Sequence, residues 1–243
     1  MQAVILAGGL GTRLRQIAGD RPKPLVDMDG KPFLEYQIEF LKKYHITDLI
    51  LCIGYLGEKI ERHFLTGADY GVSIIYSREG NLLGTGGALK NARELLHKRF
   101  FVLNGDTIFL INLSNMEKFH EQNSADATLA LTKVNDQSQY GSVNLEFQGN
   151  NRYGNRIVGF SEKSSLTNSL INAGIYVIEK DLFRWADLPE AFSLETHFLP
   201  SILQTSRVCG FVDERAYFVD IGTVVGYRKL EEDLKLRKIM GVE

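Results

Sequence analysis

The chain has 243 residues, 44% of them hydrophobic, with 28 basic against 30 acidic side chains and a formal charge of −2. That balance gives no reason to expect nucleic acid or a charged membrane surface as a partner, and no apolar run approaches the roughly 20 residues that cross a bilayer. The N-terminus carries no basic leader with a signal-type cleavage site, and Cys52 and Cys209 stand apart in apolar contexts, so buried free thiols in a reducing cytoplasm are expected.

The first predicted element is a strand over residues 3–7. It is apolar at every position, not at alternate ones, which predicts burial on both faces. It runs into Gly8-Gly9-Leu10-Gly11-Thr12-Arg13. Three glycines in four positions permit positive φ and let bare amides face a ligand. Successive exposed amides form an anion-binding concavity, and Arg13 and Lys23 bring full positive charge beside it. Pro22 and Pro24 stiffen the backbone around Lys23. One reading is a polyphosphate cradle with two cationic arms. The other is a tight turn beside two solvated charges, and the glycines alone favour the turn. The dinucleotide fingerprint G-x-G-x-x-G is only approached, because Leu14 stands where its last small residue belongs, and the spacing G-x-x-x-x-G-K-[ST] is absent.

Residues 33–44 read as a helix with Leu34, Ile38 and Leu41 on one face, entered through an Asp29-Gly30 turn and Pro32. A buried strand over 48–53, a short helix around Lys59, Ile60 and Phe64, and a strand over 72–76 follow. This alternation predicts an α/β fold: a doubly wound, mostly parallel sheet, mixed in its later part, with helices on both faces. Ligands bind beyond the carboxyl ends of such strands, where the glycine loop falls. Next come Glu79 and Gly84-Thr85-Gly86-Gly87, which suit either a flexible helix entry or a ligand contact. A strand over 99–103 ends at Asn104-Gly105-Asp106. There Asp106 is either a turn residue or a hard oxygen ligand for Mg²⁺, which takes one or two carboxylates together with phosphate oxygens. Ser114-Asn115-Met116-Glu117 has the form of a capping box. Strands then crowd together at 128–134, 142–147, 156–160 and 171–178, separated by polar turns such as Gly149-Asn150-Asn151. A closing helix over 224–238 places Tyr227, Leu230 and Leu234 on one face.

Leu6-Ala7-Gly8-Gly9-Leu10-Gly11-Thr12-Arg13-Leu14, followed by Arg21-Pro22-Lys23-Pro24, resembles the signature of sugar-1-phosphate nucleotidylyltransferases. The chain departs from it at Leu14-Arg15-Gln16-Ile17-Ala18, where many members carry L-x-P-L-T. The resemblance covers nearly the full length. It implies a Rossmann-like nucleotidyltransferase fold and a reaction in which a nucleoside triphosphate and a sugar 1-phosphate give a nucleoside diphosphate sugar and pyrophosphate. It also implies that Ala7, Gly8, Gly9, Gly11, Thr12, Arg13, Lys23, Glu79, Gly84 and Thr85 bind the nucleotide. Arg13, Lys23 and Asp106 would be catalytic, and Asp106 and Asp220 would hold one Mg²⁺ as cofactor. Asn104, Gly141, Glu162, Lys163 and Asn172 would bind the sugar phosphate. The last four lie in Tyr140-Gly141-Ser142, Phe160-Ser161-Glu162-Lys163 and Asn172-Ala173-Gly174-Ile175-Tyr176, which follow the family's order, and Asp220 lies in Phe218-Val219-Asp220-Ile221-Gly222-Thr223.

A single domain is expected, with residues 1–125 holding the nucleotide, 126–222 the sugar phosphate and 223–243 closing the fold. The hexapeptide repeats of longer family members are absent from the sequence. Glu79 falls where the uridylyl and thymidylyl branches often place Gln. A carboxylate only accepts hydrogen bonds, which suits the N1–H and N2–H₂ donors of guanine and points to GTP. The short chain, LLGTGGAL and LNGDT most resemble the branch acting on D-glycero-α-D-manno-heptose 1-phosphate. Uridylyl, thymidylyl or cytidylyl transfer, or a non-catalytic nucleotide-sugar-binding subunit, are the alternatives, and Leu14 disfavours a nicotinamide oxidoreductase. Homo-oligomerisation is left open. H-E-x-x-H, C-x-x-C and G-x-S-x-G are absent. The implied reaction needs none of them, since the sugar phosphate is already an anionic nucleophile and catalysis is positioning and charge neutralisation.

Overall fold

A computed structural model describes residues 1–11, 14, 19–134, 140–147, 155–161 and 169–236. Its strands in the first half are β1 (Gln2–Leu6), β2 (Asp27–Met28), β3 (Lys31–Pro32), β4 (Asp48–Ile53), β5 (Ser73–Arg78), β6 (Arg99–Asn104) and β7 (Thr107–Phe109). The second half adds β8 (Ala127–Lys133), β9 (Ser142–Phe147), β10 (Asn155–Ser161), β11 (Leu170–Glu179), β12 (Val208–Val212) and β13 (Phe218–Asp220). The helices are α1 (Phe33–Lys42), α2 (Gly57–Phe64), α3 (Gly84–Asn91), α4 (Leu113–Gln122), α5 (Leu199–Ile202) and α6 (Val224–Lys235).

The unbroken apolar run of β1 has the expected cause. Ala3, Val4 and Ile5 are fully buried, and they divide by alternation between two cores. Ala3 and Ile5 pack with Leu34, Ile38 and Leu41 of α1, whereas Val4 packs on the opposite face with Ala88 and Leu89 of α3. The sheet order is β5-β4-β1-β6-β11-β8-β12-β10-β9. Pairing is parallel from β5 to β6, antiparallel where β11 enters between β6 and β8, parallel again between β8 and β12, and antiparallel to β10 and β9. One mixed sheet with helices on both faces therefore runs through both halves, as the strand spacing predicts. A third core, with Val26, Met28, Phe33, Ile108 and Ile221, receives Leu230 and Leu234 of α6.

Several local expectations are corrected. The cap of α4 is Asn112, whose side chain accepts from the Asn115 amide at 2.9 Å, and not Ser114 of the presumed capping box. Starting the helix two residues earlier buries Leu113 as well as Met116, and Asn caps as well as Ser does. Strand β5 begins after Val72 and extends to Arg78. Strand β12 does not appear among the sequence's predicted strands because Gly210 interrupts its apolar run. A Cβ at Gly210 would lie 2.5 Å from the Leu131 side chain and 2.9 Å from that of Leu145, so a larger residue there would displace both.

Candidate active site

Three of the four parallel strands, β1, β5 and β6, lead into a cavity of about 380 Å³. The end of β1 supplies Leu6 to Gly9, β5 leads into Glu79, α3 presents Gly84 and Thr85, and β6 delivers Asn104, Gly105 and Asp106. Of the residues expected from the sequence, Ala7, Gly8, Gly9, Lys23, Glu79, Gly84, Thr85, Asn104 and Asp106 all line it. Gly11 adjoins them: it has φ +63°, and a Cβ there would lie 3.0 Å from the Lys23 side chain. Thr12, Arg13, Glu162 and Lys163 lie outside the described residues.

At one end of the cavity the charged groups converge. Lys23 is held between Pro22 and Pro24, and its ammonium donates to Asp106 Oδ2 at 2.9 Å. The Gly105-Asp106 turn is tied down by the Gly105 amide on the Leu6 carbonyl at 3.0 Å and by the Ile221 amide on the Asp106 carbonyl at 2.9 Å. The second tie exists because β13 pairs antiparallel with β7, setting Asp220 opposite Thr107. That pairing brings the two carboxylates together across more than a hundred residues of chain. A Cβ on Gly222 would sit 2.7 Å from Asp220 Oδ1 and 3.2 Å from Asp106 Oδ2, so both oxygens surround one point. Asp220 Oδ1 also accepts the Gly222 amide at 2.6 Å, and the Tyr140 hydroxyl reaches Oδ2 at 3.4 Å. Asp106 lines this cavity and Asp220 a neighbouring one; two carboxylates adjoining in this way fit Mg²⁺, which binds through one or two carboxylates and completes its shell with phosphate and water.

At the other end stands Glu79. Its Oε1 lies 2.7 Å from where a Cβ on Gly8 would be, so the glycine loop makes room for this carboxylate. Among the described residues Oε2 has only a long contact from the Leu83 amide, 3.4 Å. Burial raises the Glu79 carboxyl above the usual glutamate range, and the Leu83 N–H partly opposes that shift.

Asn172 lies on β11, away from the cavity wall, and is joined to it by a chain of hydrogen bonds. Its Nδ2 donates to the Tyr176 hydroxyl at 2.8 Å, and that hydroxyl donates to Glu195 Oε1 at 3.1 Å. Glu195 lines the cavity and accepts from Thr85 Oγ1 at 2.6 Å. Sequence reasoning missed Glu195, because a lone glutamate among the apolar residues Phe192, Leu194 and Phe198 carries no motif. Only the fold brings its segment back onto α3, where the Phe192 carbonyl accepts the Gly86 and Gly87 amides. Gly141 precedes β9, next to the Tyr140 that contacts Asp220, and does not line the cavity.

The family model for nucleotidyl transferases matches residues 2–236. The chain belongs to that family. It is 40% identical to the D-glycero-alpha-D-manno-heptose 1-phosphate guanylyltransferase of Aneurinibacillus thermoaerophilus, over 97% of this chain and 99% of that protein. The Campylobacter jejuni protein of the same name is 41% identical over 93% of this chain and 97% of its own length. Among solved structures, HddC from Yersinia pseudotuberculosis superposes with a TM-score of 0.82 at 34% identity, covering 96% of this chain and 99% of that one. HddC complexed with GMP-PN superposes with a TM-score of 0.81. This nucleotidyl transferase therefore shares both its fold and its extent with enzymes that act on sugar phosphates.

Proposed function

We propose that the protein transfers GMP from GTP to D-glycero-α-D-manno-heptose 1-phosphate, releasing pyrophosphate. The observation that carries this reading is the polarity of the cavity, with Lys23 and Asp106 at one end, Asp220 adjoining Asp106 from beside the cavity, and Glu79 at the other end. The names of the 40–41% identical relatives support the choice of base and sugar.

In this reading the amides of Gly8, Gly9, Gly11 and Thr12 cradle the triphosphate, and Ala7, Gly84 and Thr85 border the nucleoside. Glu79 accepts from the guanine edge. The Lys23 ammonium, placed between Asp106 and the cavity, passes its hydrogen bonds to phosphate oxygens, and Arg13 adds a second cation. Asp106 and Asp220 would hold the Mg²⁺, which when bound neutralises charge developing on the phosphates. Asn104, Gly141, Glu162, Lys163 and Asn172 receive the sugar phosphate, and Glu195 braces that side through Tyr176. A sugar phosphate oxygen attacks the α-phosphorus. The bond from that phosphorus to the β-phosphate oxygen breaks, and the electron pair leaves with pyrophosphate. No proton needs abstracting, so the protein supplies alignment and charge. Buried free Cys52 and Cys209 support a cytoplasmic setting. Among the described residues no helix is long and apolar enough to cross a membrane. The test is kcat/KM for each of the nucleoside triphosphates against a panel of sugar 1-phosphates, with GTP and the heptose phosphate expected to lead.

A further inference from the structure

We infer that Gln37 is a positioning residue for the Asp106 end of the active site, an inference that rests on Asp106 being a metal ligand. Gln37 lies on α1 and is 2% exposed, in a helix whose other inward residues are all apolar or aromatic. Its Nε2 donates to two main-chain carbonyls, Asn104 and Thr107, each at 2.8 Å. Those carbonyls bracket Gly105-Asp106, where β6 stops and β7 begins. One planar amide thus pins both sides of the two-residue turn that aims the Asp106 carboxylate and the Asn104 side chain into the cavity. The orientation of the amide is settled by its surroundings, since reversing it would set an oxygen against two carbonyl oxygens.

The arrangement has a cost that makes it informative. Gln37 Oε1 is buried with no hydrogen-bond partner. Buried acceptors are rarely left unpaired, and an apolar side chain of similar volume would fill the site without that penalty. A core position that keeps an orphaned acceptor does so here while donating twice to the turn bearing Asp106. The other main-chain ties on the turn run sideways to Leu6 at the end of β1 and to Ile221 just after β13. Gln37 alone approaches from α1. Positioning of a metal ligand from behind is felt as metal affinity, typically about ten- to a hundredfold.

The test uses Gln37→Met and Gln37→Leu, which keep the volume and remove both donors, with Asp106→Asn as a companion. Mn²⁺ binding in the presence of GTP, without sugar phosphate, is measured by electron paramagnetic resonance, and steady-state rates are measured over a Mg²⁺ titration. The expected result is Mn²⁺ affinity and kcat reduced about tenfold or more, with KM for GTP within about twofold of wild type and the far-ultraviolet spectrum unchanged. Wild-type Mn²⁺ affinity in the Gln37 variants, with affinity lost in Asp106→Asn, would overturn the positioning role alone. Wild-type affinity in Asp106→Asn would instead remove the metal reading beneath it. If neither Gln37 variant folds, the residue serves the core and the inference is wrong.

Discussion

Replacing Glu79 by Gln separates the base-recognition claim from everything else at the site. The carboxylate is half-buried, and among the described residues its hydrogen-bond partner is the Leu83 amide at 3.4 Å. Most of its accepting capacity is therefore free for a ligand. Facing guanine it can take N1–H and N2–H₂ together. Facing uracil it would meet two carbonyls and one N–H. A good bidentate base contact is worth about 1–3 kcal/mol of discrimination. Partial exposure screens this pair, which puts the expected loss of GTP-over-UTP preference at about ten- to thirtyfold. The assay is kcat/KM for GTP, UTP and dTTP at fixed sugar phosphate, in both proteins. pH supplies an independent check. Burial raises the Glu79 pKa, so the acceptor form, and with it the GTP preference, should fade as pH drops through a range above that of an ordinary glutamate. The same shift fixes the sign for stability. A raised carboxyl pKa in the folded state means the ionised form costs stability above that pKa, and the cost disappears below the unfolded value. Glu79→Gln should therefore be more thermostable than wild type at neutral pH, with the gain vanishing in acid. A GTP preference untouched by the substitution would refute the reasoning, and so would a wild type that favours UTP.

Three further outcomes follow from the geometry. Asp106→Asn should fold with wild-type spectra and lose about two orders of magnitude in kcat, read by pyrophosphate release; full activity at ordinary Mg²⁺ would contradict its role. Tyr176→Phe leaves Asn172 Nδ2 and Glu195 Oε1 each without this hydroxyl, and should cost about 1–3 kcal/mol in urea unfolding while raising KM for the sugar phosphate but not for GTP. At Gly86 a Cβ would meet the Phe192 ring at 2.1 Å, so Gly86→Ala should destabilise the fold through overpacking by about 1–3 kcal/mol, read as a lower melting temperature, and impair turnover by shifting the segment that carries Glu195.

How far these features can be read from the sequence depends on whether their cause is local. The unbroken apolar run of β1 and the glycines after it report burial and backbone freedom directly, so the strand, its position and the loop were all legible. Asp106 and Asp220 were legible as motif members, but their approach around Gly222 depends on β13 pairing with β7, a contact between distant segments. Glu195 gave no signal, because its place at the cavity comes from a connection folding back onto α3. Gln37 carries no motif, and its two acceptors lie 67 and 70 residues away. The cap of α4 was misread because two residues two positions apart, Asn112 and Ser114, offered comparable caps, and burial of Leu113 between them decided for Asn112.

The central claim is tested most directly by incubating the protein with GTP, Mg²⁺ and D-glycero-α-D-manno-heptose 1-phosphate and following the phosphorus resonances. The account predicts pyrophosphate and a guanosine diphosphate sugar appearing in equal amounts, with no free GMP. GTP that stays intact while another triphosphate is consumed, or GTP that gives GMP and pyrophosphate without a sugar conjugate, would contradict it.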